Sequence, residues 1–258
     1  MDQSEQMRKI RRAKRKQQAK RRLLLLTLIT FFIGFFAGFL VGSQREHTLN
    51  FVMAPANQNT SKQNTVTLPW NLTLVNFENA LPENFAPEEL SEVDNGYETD
   101  SRIAEAAKKM ISHAREENVR IITLSAFRDY EYQMELFENK VQRLQQEKGY
   151  SVDKAREEAA TVVAYPGTSE HQLGLALDLV DARHTKLDES QEKTAAYKWL
   201  YEHCHEYGFI VRYPNGKTSI TGIIYEPWHF RYVGEEAAKI IMEEGITLEE
   251  YIQKHYAN

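Results

Sequence analysis

TSEHQLGLALDLVD, Thr168–Asp181, is the stretch on which the fold turns. Within it LGLALDLV, Leu173–Val180, alternates, which predicts a strand. Leu173, Leu175, Leu177 and Leu179 share one face, and Gly174, Ala176 and Asp178 share the other. The leucine face suits burial against helices. The second face is stripped of bulk and ends in a carboxylate, which makes a floor on which a ligand can sit. His171 falls just before the strand, after a PGTSE loop, where the chain can bend it back toward Asp178. Taken alone, a buried Asp–His pair is equally a device for stabilising a turn.

A second stretch, YEPWHFRYVG (Tyr225–Gly234), shifts that balance. It places Glu226 and His229 among Tyr225, Trp228, Phe230 and Tyr232. A carboxylate is an awkward choice for an aromatic core. Two histidines and one aspartate, His171, Asp178 and His229, make three protein ligands for Zn²⁺ and leave a fourth position open. Glu226, outside that set, is then free to take a proton from an attacking water. A third stretch, LSAFRDYEYQ (Leu124–Gln133), follows a strand and opens a helix, where binding loops commonly sit. Arg128 there suits a substrate carboxylate or a developing oxyanion, although an exposed arginine at a helix start has the same signature.

Around these stretches the expected class is α+β: a small single domain with a central antiparallel sheet and flanking helices. Asp100 is expected to cap a helix reaching about Glu117, with Ile103, Ala107, Met110, Ile111 and Ala114 on one face. VRIITLS reads as a strand. Asp129 caps a helix that stops near Gly149, and Ser151 opens another that runs to YPG. Residues 191–207 read as one helix ending at Gly208. FIVRY and SITGIIY read as a strand pair about the PNGK turn. Helices close the chain, and TLEE, Thr247–Glu250, has the capping-box pattern.

The chain has 258 residues and a net charge of −5, distributed unevenly. Residues 1–22 carry ten Lys/Arg against two acids, so the remainder is near −13. Leu23–Gly42, LLLLTLITFFIGFFAGFLVG, is twenty residues without a charge, enough to span about 30 Å of hydrocarbon. The basic block before it predicts a cytoplasmic N-terminus and an extracellular remainder. That span also accounts for the basic run, so nucleic acid is not expected as a partner. The span is longer than a signal-peptide apolar region, about 7–15 residues, and no A-x-A-like site directly follows it, so an uncleaved single-pass anchor is expected. Gly34, Gly38 and Gly42 form overlapping G-x-x-x-G units that would permit weak self-association. The expected divisions are a basic tail (1–22), an anchor (23–42), a polar linker (43–67) and a catalytic domain (68–258). Cys204 is the sole cysteine, so no internal disulfide forms. It fits the stripe Ala196, Leu200, Cys204, Tyr207 and reads as core. His203 and His205 beside it point about 100° apart on a helix and do not converge on an ion with it.

The blocks LPENFAPEEL, SAFRDYEYQMELF, AYPGTSEHQLGLALDL, YGFIVRYPNGKTSITGIIYEPWHFRYVG and TLEEYI resemble the VanY-type D-alanyl-D-alanine carboxypeptidases, zinc peptidases of bacterial cell-wall metabolism. The resemblance covers about residues 72–254. Its S-x-H-x-x-G-x-A-x-D and E-x-W-H patterns are together highly specific. It implies one Zn²⁺ per chain held by His171, Asp178 and His229, with Glu226 as catalytic base and Arg128 contacting substrate or transition state. Ser169 and Gln133 correspond to polar positions that contact substrate. The family usually carries Gly-Tyr where this chain has Ala126-Phe127. The function implied is removal of the terminal D-alanine from peptidoglycan stem peptides at the outer face of the cell membrane. An L,D-carboxypeptidase acting on tetrapeptide stems, or a catalytically silent wall-binding protein, are the alternatives.

Overall fold

Six strands and seven helices, joined by short 3₁₀ turns, build the domain. The computed structural model of the chain describes residues 68–257. The basic tail, the expected anchor and the linker lie outside them. Among the described residues no helix is long and apolar enough to cross a membrane.

The chain first makes a hairpin, β1 (Leu90–Asp94) and β2 (Tyr97–Asp100). Asn95 and Gly96 both take positive φ, +52° and +82°. Left-handed residues at both central positions match the twist of the flanking strands, and Asn-Gly is the pair that tolerates it best. Helix α1 (Ser101–Glu116) starts where the Asp100 side chain accepts from the Arg102 backbone N–H at 2.9 Å. Strand β3 (Ile121–Ser125) follows, then α2 (Tyr130–Lys148), capped by Asp129 and ended by Gly149 in the left-handed region. The shorter α3 (Val152–Ala160) is capped by Ser151. Helices α2 and α3 form a pair around Phe137, Val141, Ala155 and Ala159.

The central sheet has the order β3–β4–β6–β5, antiparallel throughout, with β4 at Ala176–Asp181, β5 at Phe209–Val211 and β6 at His229–Tyr232. Leu173, Leu175, Leu177 and Leu179 all join the main core with Phe209, Phe230 and the predicted α1 stripe. The opposite face holds Ala176 and Asp178 of β4 beside Arg231 and His229 of β6. Helix α4 (Ala195–His203) packs its Ala196 and Leu200 into the main core. Helices α6 (Glu235–Glu244) and α7 (Leu248–Tyr256) cover Ile210 and Val233 from the far edge. The capping box at Thr247 and Glu250 is complete in both directions.

The domain is thus mixed helix and antiparallel sheet, as expected, with four local corrections. The strand expected over Leu173–Val180 begins only at Ala176, because Gly174 sits at φ +75° and turns the chain. The helix expected to reach YPG stops at Ala160, in a turn where the Val162 and Val163 N–H groups donate back to the Ala159 carbonyl. The helix over 191–207 is broken into a 3₁₀ turn, α4 and a second 3₁₀ turn that ends at left-handed Gly208. The partner of FIVRY is β6 and not SITGIIY. Thr218–Thr221 is instead a short helix, α5, closed by Gly222 at φ +77°. The Thr221 hydroxyl donates to the Lys217 and Ile223 carbonyls, a local turn that competes with extended pairing. Cys204 is fully buried in the main core, and burial pushes its thiol pKa up, as befits an inert packed cysteine.

Candidate active site

Strand register brings the two central groups together. Asp178 and His229 are directly opposite on β4 and β6, so their side chains leave the same face. Asp178 Oδ1 lies 3.3 Å from His229 Nδ1 and 3.3 Å from His171 Nε2. His171 comes from the turn before β4. Gly174 makes that turn possible: a Cβ there would lie 2.7 Å from the Pro87 ring and 3.0 Å from the Asp100 nitrogen. The Gly174 carbonyl in turn accepts from the Asp100 N–H, which pins the histidine turn to the start of α1.

Both imidazoles are oriented from behind. His171 Nδ1 donates to the Ala126 carbonyl at 2.7 Å, so its Nε2 presents a lone pair to Asp178. His229 turns Nδ1 toward Asp178 and Nε2 toward Glu170 Oε2, 3.5 Å away. Glu170 was not among the residues singled out from sequence. Its Oε1 is held by Arg212 Nε at 2.7 Å and Arg231 Nη1 at 2.6 Å, with all three side chains fully buried. Arg212 is gripped in turn by both oxygens of Glu249 on α7. Arg231 Nη2 donates to the Asn71 and Thr73 carbonyls. The signal was present: lone arginines inside FIVRY and HFRY need a buried acid, and Glu170 is the nearest acid to the histidine turn.

Glu226 sits in the turn leading into β6, where the His229 N–H donates to its carbonyl. Its carboxylate lies 3.8 Å from His229 Nδ1. Burial, partly opposed by His229, pushes its pKa up to about 8. Burial together with the Arg128 charge pulls His171 down to about 4. Burial also disfavours a charge on His229, but Asp178 and Glu170 outweigh it and raise its pKa to about 9. Asp178, despite its burial, is held well below the usual carboxylate range by the two histidines. Glu170 is likewise held low by Arg212 and Arg231.

Arg128 reaches the same point from the loop after β3. Its Nη1 donates to Ser125 Oγ at 3.2 Å and lies 3.6 Å from Asp178 Oδ2. Ser125 is itself the register partner of Asp178 on β3. A cavity of about 510 Å³ opens onto these groups, lined also by Ser169, Tyr213 and Trp228. Gln133 is placed differently. It is fully buried behind the wall, where its amide donates to the Ala164 carbonyl at 2.7 Å. It shapes the cavity through that backbone instead of lining it.

The donor set fits a divalent metal. One ligand atom from each of His171, Asp178 and His229 lies within 4.8 Å of the others. His171 Nε2 and Asp178 Oδ1 are buried with no hydrogen-bond partner. Buried orphaned acceptors that face each other cost free energy unless a cation lies between them. Two imidazoles, one carboxylate and an open cavity match the ligand chemistry of a catalytic zinc site.

The comparisons agree with this chemistry. Residues 97–235 match the VanY family model, described as D-alanyl-D-alanine carboxypeptidase. The D-alanyl-D-alanine carboxypeptidase of Enterococcus faecalis is 43% identical over 194 residues, covering 75% of this chain and 69% of that protein. The putative carboxypeptidase YodJ of Bacillus subtilis is 39% identical over 201 residues, covering 74% and 70%. Among solved structures, VanYB in complex with D-alanine-D-alanine superimposes with a TM-score of 0.66 at 42% identity, covering 72% of this chain and 99% of that one. A VanY D,D-pentapeptidase from a VanB-type resistance cassette, in complex with Zn(II), gives 0.64 at 42%, covering 71% and 99%. The LdcB LD-carboxypeptidase gives 0.63 at 38%, covering 72% and 87%. The fold and site define a zinc metallo-carboxypeptidase. The chain belongs to the VanY D-alanyl-D-alanine carboxypeptidase family.

Proposed function

We propose that this protein is a membrane-anchored D,D-carboxypeptidase that removes the terminal D-alanine from peptidoglycan stem peptides at the outer face of the membrane. Leu23–Gly42 is its single anchor, with residues 1–22 in the cytoplasm, 43–67 as linker and 68–258 as catalytic domain. The convergence of His171, Asp178 and His229 beside an unligated, buried Glu226 is the observation that carries this reading.

His171 Nε2, Asp178 Oδ1 and His229 Nδ1 would hold one zinc per chain. Zinc, when bound, polarises the scissile carbonyl and makes an attacking water a stronger nucleophile. Glu226 takes a proton from that water as its oxygen bonds to the carbonyl carbon. It then returns the proton to the amine of the departing D-alanine as the C–N bond breaks. A carboxyl whose pKa is raised toward neutrality suits both halves of that transfer. Arg128 steadies the oxyanion, with the substrate's C-terminal carboxylate as its other target. Ser169 offers a polar contact on the cavity wall, and Gln133 holds the Ala164 backbone that completes it. Tyr213, whose ring lies 4.8 Å from that of His229, and Trp228 exclude bulk water.

An L,D-carboxypeptidase acting on tetrapeptide stems is the second reading, favoured by the likeness to an LD-carboxypeptidase at 38% identity. Chelator treatment of the purified full chain, followed by stoichiometric Zn²⁺, tests the common chemistry. D-Alanine release from a stem peptide should vanish and return. Release that persists without metal would refute the zinc mechanism.

A further inference from the structure

One wall of the cavity is a single face of α2. Leu136, Asn139, Lys140 and Arg143 all line it. Their spacing is i, i+3, i+4, i+7, the signature of one helical stripe. The stripe ends in two cations on adjacent turns. Lys140 is partly buried and Arg143 exposed. Among the described residues no ion pair includes either of them, although α2 carries several acids. Glu138 faces away and pairs with Arg156 at 2.6 Å. Burial and the charge of Arg143 both make a charged Lys140 less favourable, which an incoming anion would relieve.

The setting makes this conspicuous. Residues 68–258 carry 20 Lys/Arg against 34 Asp/Glu, so the domain as a whole repels anions. The stripe is a local exception, and it opens on the reaction site. Its direction is also informative. Arg128 lies two residues before α2 and 3.6 Å from Asp178, so the helix leads away from the triad. Lys140 lies twelve residues beyond Arg128, more than three turns or about 18 Å along the chain. A peptide whose C-terminus meets the triad in this cavity reaches the stripe with residues upstream of the scissile bond.

We propose that Lys140 and Arg143 form a subsite for a carboxylate carried by the substrate peptide upstream of the scissile bond. The inference rests on the carboxypeptidase reading above and adds a specificity to it: stems with a free carboxylate at that position bind better than stems in which it is amidated. Asn139 supplies a neutral donor on the same stripe. The subsite acts on binding and not on the chemical step, because Lys140 and Arg143 lie more than three helical turns along from Arg128.

Matched pairs of synthetic peptides test this, each ending in D-Ala-D-Ala and differing only in a free or amidated carboxylate on one upstream residue, with the pair repeated for each upstream position. With the purified full chain, kcat/KM should favour the free acid by about threefold to tenfold, the range of one or two partly screened ion pairs. The preference should lie in KM and fall as salt rises. The double variant Lys140→Met, Arg143→Met should cleave both peptides equally, at the wild-type rate for the amide, which shows that it is folded. Lys140→Arg should keep the preference, and Lys140→Glu, which leaves no net charge on the stripe, should abolish it. A wild-type enzyme indifferent to amidation, or a double variant that keeps the full preference, would overturn the subsite. Release of no D-alanine from either peptide by wild type would instead overturn the carboxypeptidase reading on which the subsite depends.

Discussion

Asp178 and His229 face each other across two adjacent antiparallel strands, and a single carboxylate oxygen, Asp178 Oδ1, lies 3.3 Å from both His229 Nδ1 and His171 Nε2. A strand pair fixes such a relationship more tightly than a loop, since register sets both the separation and the side of the sheet. Two of the three metal-binding side chains therefore come with the sheet itself. The third is delivered by a turn that only glycine at position 174 permits.

Glu170 provides the first prediction. It is the one carboxylate behind His229, and its other oxygen is clamped by two buried arginines. A carboxylate behind a ligating histidine typically contributes about 10–100-fold in metal affinity. Glu170→Gln keeps the shape but loses the charge, and should weaken zinc binding by that factor in competition with a chromogenic chelator. It should also lower the melting temperature of the metal-free protein, because Arg212 and Arg231 lose their shared partner, a change of about 3–5 kcal/mol. Unaltered zinc affinity would show that Glu170 serves the fold alone.

Glu226→Gln should retain stoichiometric zinc while turnover falls by at least about 10²–10⁴-fold, the usual contribution of a general acid–base group. Elemental analysis and steady-state rates on the same sample check this. Loss of zinc comparable to that of His229→Ala would make Glu226 a ligand and not the base.

Zinc binding should strengthen as pH rises from 6 toward 9. In the metal-free site Asp178 and Glu170, against the effect of burial, hold the His229 pKa up at about 9. Metal must displace that proton, so below this value each unit of acidification costs up to about tenfold in apparent affinity. His171, with its pKa drawn down to about 4 by burial and Arg128, is already neutral throughout this window and adds nothing to the slope. Calorimetry in buffers of different ionisation enthalpy should find at least about one proton released at pH 7, from His229, with Glu226, its pKa raised to about 8, adding to it where the cation draws its proton off. Zero protons released there would contradict a charged His229.

Much of this was legible in the sequence, for reasons that differ by element. The α1 stripe, the caps at Asp100, Asp129 and Ser151, and the Thr247 capping box are local signals, and local structure obeyed them. His171, Asp178, Glu226 and His229 were visible because polar groups in apolar or aromatic runs demand a reason. The failure in strand pairing is non-local. Which strand pairs with Phe209–Val211 depends on a sheet that no single segment encodes, so SITGIIY, rich in β-branched residues, was given the place of β6. The β1–β2 hairpin was missed although Asn95-Gly96 announces it. Glu170 was passed over because its partners lie 42 and 61 residues away in sequence.

Arg128→Lys should be nearly as damaging as Arg128→Ala. The guanidinium reaches Ser125 and Asp178 at once and presents a planar fork, whereas lysine offers a point charge. If it steadies the oxyanion, kcat falls while KM holds. A defect confined to KM, and abolished on a C-terminally amidated peptide, would assign it to the substrate carboxylate. Wild-type kinetics for the lysine variant would remove it from the site.

Mass spectrometry of two defined stems, a pentapeptide ending in D-Ala-D-Ala and a tetrapeptide ending in an L-residue followed by D-Ala, is the most direct measurement. After incubation with the zinc-loaded full chain the pentapeptide should lose one alanine and the tetrapeptide should remain intact, with Glu226→Gln leaving both unchanged. A shortened tetrapeptide beside an intact pentapeptide would contradict the D,D assignment, and two intact peptides would contradict the activity itself.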